Sequence, residues 1–231
     1  MFFLTGDTHG DFARVFRFVK QNPELTQEDV MIVLGDAGIN YFNDYRDTLK
    51  KEPLSKLPLT IFSIHGNHEI RPEGLSTYKE ISWRGGTVYQ EPQYPNILFA
   101  KDGELYDLGG KRVFVIGGAY SVDKYFRLAR GIPWFEDEQP SSKAKAQVAS
   151  ALDEINWQVD IVLSHTCPYR YRPAEVFLKE LDQSTVDTNT EEWLEQIEAR
   201  LRYDRWYCGH FHTDKSIDKL RFFFHDIAEF K

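Results

Sequence analysis

Hydrophobic patterning divides the chain into alternating segments at both ends and a strand-rich middle. Residues 2–4 form a short apolar strand, and Phe12, Val15, Phe16 and Val19 then recur at i, i+3, i+4 and i+7, one face of a helix with Asp11 as its expected N-cap. The run Val30-Met31-Ile32-Val33-Leu34 is apolar at every position, as in a strand buried on both faces, and stops at Gly35-Asp36. Residues 59–64 repeat that arrangement and stop at Gly66-Asn67-His68. Between them and the last third, residues 87–89, 97–99 and 105–108 read as short strands separated by turn residues such as Asp102-Gly103. Residues 111–116 are a further apolar strand ending at Gly117-Gly118-Ala119-Tyr120. Periodicity lapses over residues 121–142, a polar and aromatic stretch of a length usually reserved for function. A helix is expected over 144–155, a strand over 160–163, a helix carrying Trp193, Leu194, Ile197 and Leu201, a strand over 205–208 and a terminal strand at 222–224.

This pattern supports an α/β chain with a large mixed-sheet component. Alternation on both sides of a hairpin-rich middle suggests two sheets face to face with helices outside. No repeat, low-complexity tract or linker interrupts it, so residues 1–231 are expected to form one domain. At 42% hydrophobic residues the chain can bury a substantial core, and its net charge of −8 disfavours broad attraction to nucleic acid or anionic membrane. Cys167 and Cys208 make no disulfide framework and read as packing residues of a reducing compartment. The opening apolar run is too short for a secretory core, and no run approaches the roughly 20 residues that span a bilayer. A soluble, cytoplasmic protein with no membrane partner is expected.

Chemistry enters at the residues directly after the predicted strands. Gly6-Asp7-Thr8-His9, Gly35-Asp36, Gly66-Asn67-His68-Glu69, Ser164-His165 and Gly209-His210-Phe211-His212 occur in that order and hold five of the seven histidines. Taken singly, each has an ordinary reading as a turn carboxylate or a satisfied core histidine. Together they offer carboxylate, amide and imidazole donors at strand ends, a mixture that Mn, Fe, Zn or Ni accepts. Strand alternation would turn Asp7 and His9 to one side, and likewise His210 and His212, with Phe211 facing away into packing.

The ordered set resembles the calcineurin-like metallophosphoesterase superfamily, over residues 6–212. That resemblance implies a four-layer αββα sandwich, two mixed sheets flanked by helices, with a dimetal site at strand ends. It implies one ion held by Asp7, His9 and His212, a second held by Asn67, His165 and His210, and Asp36 bridging them. His68 would assist the leaving-group oxygen, while a hydroxide shared by cations roughly 3.5–4 Å apart attacks phosphorus. The expected activity is hydrolysis of a phosphate mono- or diester of a small or nucleotide-like substrate, with Mn2+ serving in vitro. A nuclease or nucleic-acid end-processing phosphatase is the alternative, and a non-catalytic metal-binding scaffold comes behind it.

One motif departs from the pattern of the protein phosphatases in this superfamily. They place an arginine four residues after the second-motif aspartate, commonly with an aspartate before it, and here those positions are Asn40 and Ile39. Protein phosphatase activity is therefore disfavoured, and other groups must orient His68 and grip phosphate. Arg71 and the segment after Gly117-Gly118 are the candidates, with Tyr120, Asp123, Lys124, Arg127 and Trp134 in view. Arg127 leads for the phosphate contact, because a guanidinium fork matches phosphate geometry.

Overall fold

The computed structural model describes residues 1–178 and 182–230. One sheet of seven strands contains β1 (Phe2–Thr5), β2 (Val30–Val33), β3 (Thr60–Ser63), β4 (Lys79–Trp83), β5 (Gly86–Gln90) and β6 (Ile97–Ala100). The other, of six, contains β7 (Leu105–Leu108), β8 (Lys111–Ile116), β9 (Ile161–Ser164), β10 (Arg205–Cys208), β11 (Lys215–Ile217) and β12 (Leu220–Phe222). A last strand, β13 (Ala228–Glu229), returns to the first sheet, giving the orders β13-β1-β2-β3-β6-β5-β4 and β11-β12-β10-β9-β8-β7. The described helices are α1 (Ala13–Gln21), α2 (Tyr45–Leu54), α3 (Lys124–Arg130), α4 (Ser142–Glu154) and α5 (Asn189–Glu198).

Three apolar clusters define the layers. Leu4, Ile32, Leu34, Phe62, Val113, Val115, Leu163 and Phe223 interlock between the sheets. Met31, Val33, Ile61 and Phe99 face the other side of the first sheet, where Val15 of α1 and Leu54 of α2 cover them. Phe114, Ile116, Val162 and Trp206 do the same on the second sheet, beneath Val148 and Leu152 of α4 and Leu194 and Ile197 of α5. Strands covered on both faces are buried at every position, so β2 is wholly apolar and the polar residues in β3 and β9 are confined to the short side chains of Thr60, Ser63 and Ser164. The fold is thus the αββα sandwich expected.

Parallel pairing places the site. β1, β2 and β3 are neighbours in parallel register (Thr5 opposite Val33, Val33 opposite Ser63), so their following loops emerge at one edge. β8, β9 and β10 are likewise parallel neighbours in the second sheet. Five motif loops and the Gly117-Gly118 turn are therefore delivered by six strand ends.

Several local expectations need correction. Phe12, not Asp11, occupies the cap position of α1, although the Asp11 carboxylate accepts from the Ala13 N–H at 2.9 Å. The terminal strand is β13, and the strand near residues 222–224 lies earlier, at Leu220–Phe222. Residues 121–142 are not wholly irregular but contain α3, which buries none of its residues and so leaves no hydrophobic period to read. α2 escaped the pattern too: its buried positions include Asp47 and Lys51, and it contains Pro53.

Candidate metal centre

Asp7, His9, Asp36, Asn67, His165, His210 and His212 converge, although strand alternation is not what aims them. The strands end before the ligand positions, and His9, Asp36, His210 and His212 all adopt left-handed backbone, with φ between 47° and 65°. Such non-glycine conformations cost of order 1–3 kcal/mol each and persist where surrounding structure enforces them. Enforcement is visible. The Asp36 carbonyl accepts the His9 N–H at 2.8 Å, Thr8 Oγ1 donates to the Ala37 carbonyl at 2.9 Å, and Arg14 Nη2 donates to the Gly6 and Asp7 carbonyls at 2.7 Å each. The motif glycines allow the close approach: a Cβ on Gly66 would stand 2.0 Å from Asp36 Oδ1, and one on Gly209 would stand 2.3 Å from Asp7 Oδ1.

Two donor sets result. In one, Asp7 Oδ2 lies 3.9 Å from His9 Nε2 and 3.3 Å from His212 Nε2, and the two imidazole nitrogens are 3.0 Å apart. In the other, Asn67 Oδ1 sits 2.8 Å from His165 Nε2 and 3.1 Å from His210 Nδ1. Asp36 lies between, with Oδ1 3.7 Å from His165 Nε2 and Oδ2 3.9 Å from His9 Nδ1. Side chains around both sets hold the donors in place. Asp7 and Asp36 each commit Oδ1 to a backbone N–H, of His210 at 2.9 Å and of His68 at 2.8 Å, leaving Oδ2 for other work. Asp7 Oδ2 is buried with no hydrogen-bond partner, the state of a ligand atom rather than of a structural carboxylate. Ser121 Oγ accepts from Asn67 Nδ2 at 2.8 Å, which turns the amide oxygen toward the histidines.

Protonation favours cation binding. Burial works against the Asp7 and Asp36 carboxylates, yet the surrounding histidines (His212 and His165 for Asp7, His165 and His68 for Asp36) outweigh it and hold both below the usual range. Burial pushes His9 down and His210 well down, so both imidazoles stay neutral and keep a lone pair. His212 is raised by the Asp7 carboxylate 3.3 Å from its Nε2, so a cation entering there displaces a proton. Ionised carboxylates, the neutral imidazoles of His9 and His210 and an oriented amide fit two divalent ions.

His68 sits beside this centre. Its Nδ1 is 3.3 Å from Asp36 Oδ2 and its Nε2 is 3.4 Å from Asp123 Oδ1. Arg127 donates to Asp123 Oδ2 and to the Tyr41 hydroxyl at 2.8 Å each, and its Nη2 lies 3.4 Å from His68 Nδ1. Burial opposes the Asp123 charge, but His68 and Arg127 prevail and hold its pKa below the usual range. Residues 123 and 127 thus contact His68 from outside the second motif. Ile39 and Asn40, which replace the phosphatase aspartate and arginine, are buried: Ile39 joins the apolar core and the Asn40 side-chain oxygen accepts from Tyr78.

The other proposed contacts are distributed differently. Tyr120 lines a cavity of ≈ 370 Å³ that opens from Asp36, Asn67, His68, His210 and His212. Arg71 does not reach His68: it is buried and donates to the Asp137 carbonyl and to Asp102, both at 2.8 Å, pinning the 121–142 segment to the sheet edge. Lys124 stacks over the Trp134 ring at 4.0 Å, and the Trp134 indole donates to Glu138, so these two engage each other instead of the cavity. His65 is structural, with Nε2 3.1 Å from the Glu69 carbonyl. Phe211 packs against the second sheet's outer core as expected, but also lines the cavity. Sequence reading missed Ser121, Arg14 and Glu191; only for Ser121 was there a signal, its place just past a strand end like the other motifs.

Comparison with known proteins gives the family and the fold. The family model for calcineurin-like phosphoesterases matches residues 1–214, and the chain belongs to that family. No curated protein matches it. Among solved structures, protein TT1561 of Thermus thermophilus superposes with a TM-score of 0.52 at 15% identity, covering 96% of this chain and 87% of the other. A phosphopantetheinyl hydrolase from Mycobacterium tuberculosis gives 0.46 at 14% identity, covering 96% and 86%. Members of the family hydrolyse phosphate esters with two divalent metals. No described helix is long and apolar enough to cross a membrane.

Proposed function

We propose that this protein hydrolyses a phosphate mono- or diester of a small or nucleotide-like molecule, with two divalent metals. The observation that carries this is the pair of three-atom donor sets flanking one buried carboxylate. Asp7, His9 and His212 would hold one ion, Asn67, His165 and His210 the other, and Asp36 would serve both. Ions bound there would supply water activation and neutralisation of phosphoryl charge, with Mn2+ suited to the mixed oxygen and nitrogen ligands and Fe, Zn or Ni compatible.

The chain's own groups supply the rest. Asp123 steadies His68 at Nε2, which leaves Nδ1 facing the Asp36 side, where it can give a proton to the departing oxygen. Arg127, beside Nδ1 and braced by Asp123 and Tyr41, offers a preorganised positive charge to a phosphoryl oxygen.

The test is hydrolysis of p-nitrophenyl phosphate and bis-p-nitrophenyl phosphate by metal-stripped protein refilled with Mn2+. Activity returns with metal, and the ratio of rates separates monoester from diester preference. Asp36→Asn loses metal and activity together. His68→Ala retains two metals yet loses turnover, most on poor leaving groups. Silence on both esters with two metals bound would sink the reading.

A further inference from the structure

The cavity beside the metal centre has a composition unlike its mouth. Beyond the histidines its wall is built from Tyr120, Val122, Val176, Phe177, Val186 and Phe211, with Phe177 and Phe211 stacked 6.0 Å apart at 20°. Its volume of ≈ 370 Å³ lies in the range of small-molecule sites. Arg172 is its one Lys or Arg among the described residues, and that guanidinium is already engaged, 3.6 Å over the Tyr169 ring with Nε donating to the Tyr169 carbonyl. Three carboxylates besides Asp36 line the same space: Asp123, Asp187 and Glu191.

Glu191 stands out among them. It lies in the first turn of α5, is 4% exposed, and accepts from Thr166 Oγ1 at 2.6 Å through Oε1, while Oε2 is buried without a partner. Thr166 follows His165 directly, so this carboxyl is anchored to a loop of the metal centre. A buried polar atom left unpaired costs roughly 1–3 kcal/mol, which a donor on a ligand would relieve. Among the described residues, a second anion would meet three further carboxylates and a single guanidinium held against Tyr169, whereas an apolar body would cover aromatic and aliphatic surface.

Building on the phosphoesterase reading above, we infer that the substrate is a phosphate ester of an uncharged, elongated alcohol. Its leaving group has an apolar body along Phe177 and Phe211 and one N–H or O–H donor directed to Glu191. The cavity excludes leaving groups with a further anionic end, such as a polyphosphate tail.

The test uses the Mn2+-loaded full chain and five probes: phosphate esters of hydroxyhexanoic N-methylamide, of its N,N-dimethylamide and of the free acid, with glycerol phosphate and p-nitrophenyl phosphate as references. In the wild type, kcat/KM for the methylamide exceeds both the dimethylamide and the acid by about tenfold or more. Glu191→Met collapses the methyl-to-dimethyl ratio toward one. Phe177→Ser, on the half-buried rim, reduces the preference for the methylamide over glycerol phosphate by about tenfold. If Glu191→Met fails to fold, the wild-type ratios and Phe177→Ser still decide. Turnover of p-nitrophenyl phosphate with all three hexanoyl esters within about twofold of each other, or a donor preference that survives Glu191→Met, would overturn the inference alone. No turnover of any probe would overturn the phosphoesterase reading instead.

Discussion

Replacing Glu69 with glutamine tests the electrostatics of the centre without touching a ligand. Glu69 is fully buried; Oε1 accepts from the Gly66 N–H at 3.0 Å and Oε2 from the Gly38 N–H at 3.3 Å, tying two motif loops together. Burial, reinforced by the Asp36 charge, pushes its pKa up from 4.5 to about 8. A raised pKa means the folded chain keeps a proton that the unfolded chain releases. The Glu69 contribution to stability is therefore fully present below pH 4.5 and is lost as pH rises through about 8. Within that window one proton gives a slope of about −1.4 kcal/mol per pH unit, on the order of 5 kcal/mol in total, comparable to the stability of many domains. His9, His65 and His210, held below their ordinary values chiefly by burial, contribute with the opposite sign. They cancel when the wild type is compared with Glu69→Gln. Urea unfolding in a chelating buffer at several pH values between about 5 and 8 measures the difference. Relative to wild type, the variant gains about 1.4 kcal/mol for each unit of rising pH. An amide N–H facing Gly38 adds only a constant offset. Restoring Mn2+ reduces the slope, because positive charge beside Asp36 relieves the repulsion that adds to burial in keeping Glu69 protonated. Parallel pH profiles for the two proteins would refute the reasoning.

Three other substitutions probe the positioning of the donors. Ser121→Ala frees the Asn67 amide to turn its nitrogen toward His165 and His210, and titration should show one of two Mn2+ sites weakened about 10–100-fold. Gly209→Ala places a Cβ 2.3 Å from Asp7 Oδ1 and 2.8 Å from the Leu34 carbonyl, so metal stoichiometry should fall below two while circular dichroism shows the sheets retained. Asp123→Asn removes the charge that holds His68 Nε2; kcat should drop about 10–100-fold on an alkyl phosphate and much less on p-nitrophenyl phosphate, with KM little changed. An equal loss on both esters would show that Asp123 acts on the fold rather than through His68.

Much of this protein was written locally. The continuous apolar run at residues 30–34 and the mostly apolar stretch at 59–64 announced strands covered on both faces, and each motif followed a strand because a parallel strand end is where side chains can gather without being packed away. Residue chemistry marked the five donor-bearing segments, since a short segment carries its carboxylate or imidazole wherever the fold takes it, and the family resemblance picked the seven ligand positions out of them. Where the pattern failed, packing had not marked the sequence: α3 buries no residue, and α2 buries a charged pair of positions instead of an apolar stripe.

Tertiary structure decided what those donors can do. Strand order sets β9 and β10 in one sheet against β1, β2 and β3 in the other, and no local period encodes which strands become neighbours. Left-handed backbone at His9, Asp36, His210 and His212 aims the ligands, a conformation that residue type leaves unspecified outside glycine. The partners of His68 lie 55 and 59 residues further along the chain, at Asp123 and Arg127, and only folding brings them to its ring. Glu191 and the stacked Phe177 and Phe211 likewise border the cavity through long-range packing. Sequence determined the chemical inventory because identity and short-range periodicity are local properties. Orientation, protonation and cavity shape depend on burial and distance, and these exist only once the two sheets have closed on each other.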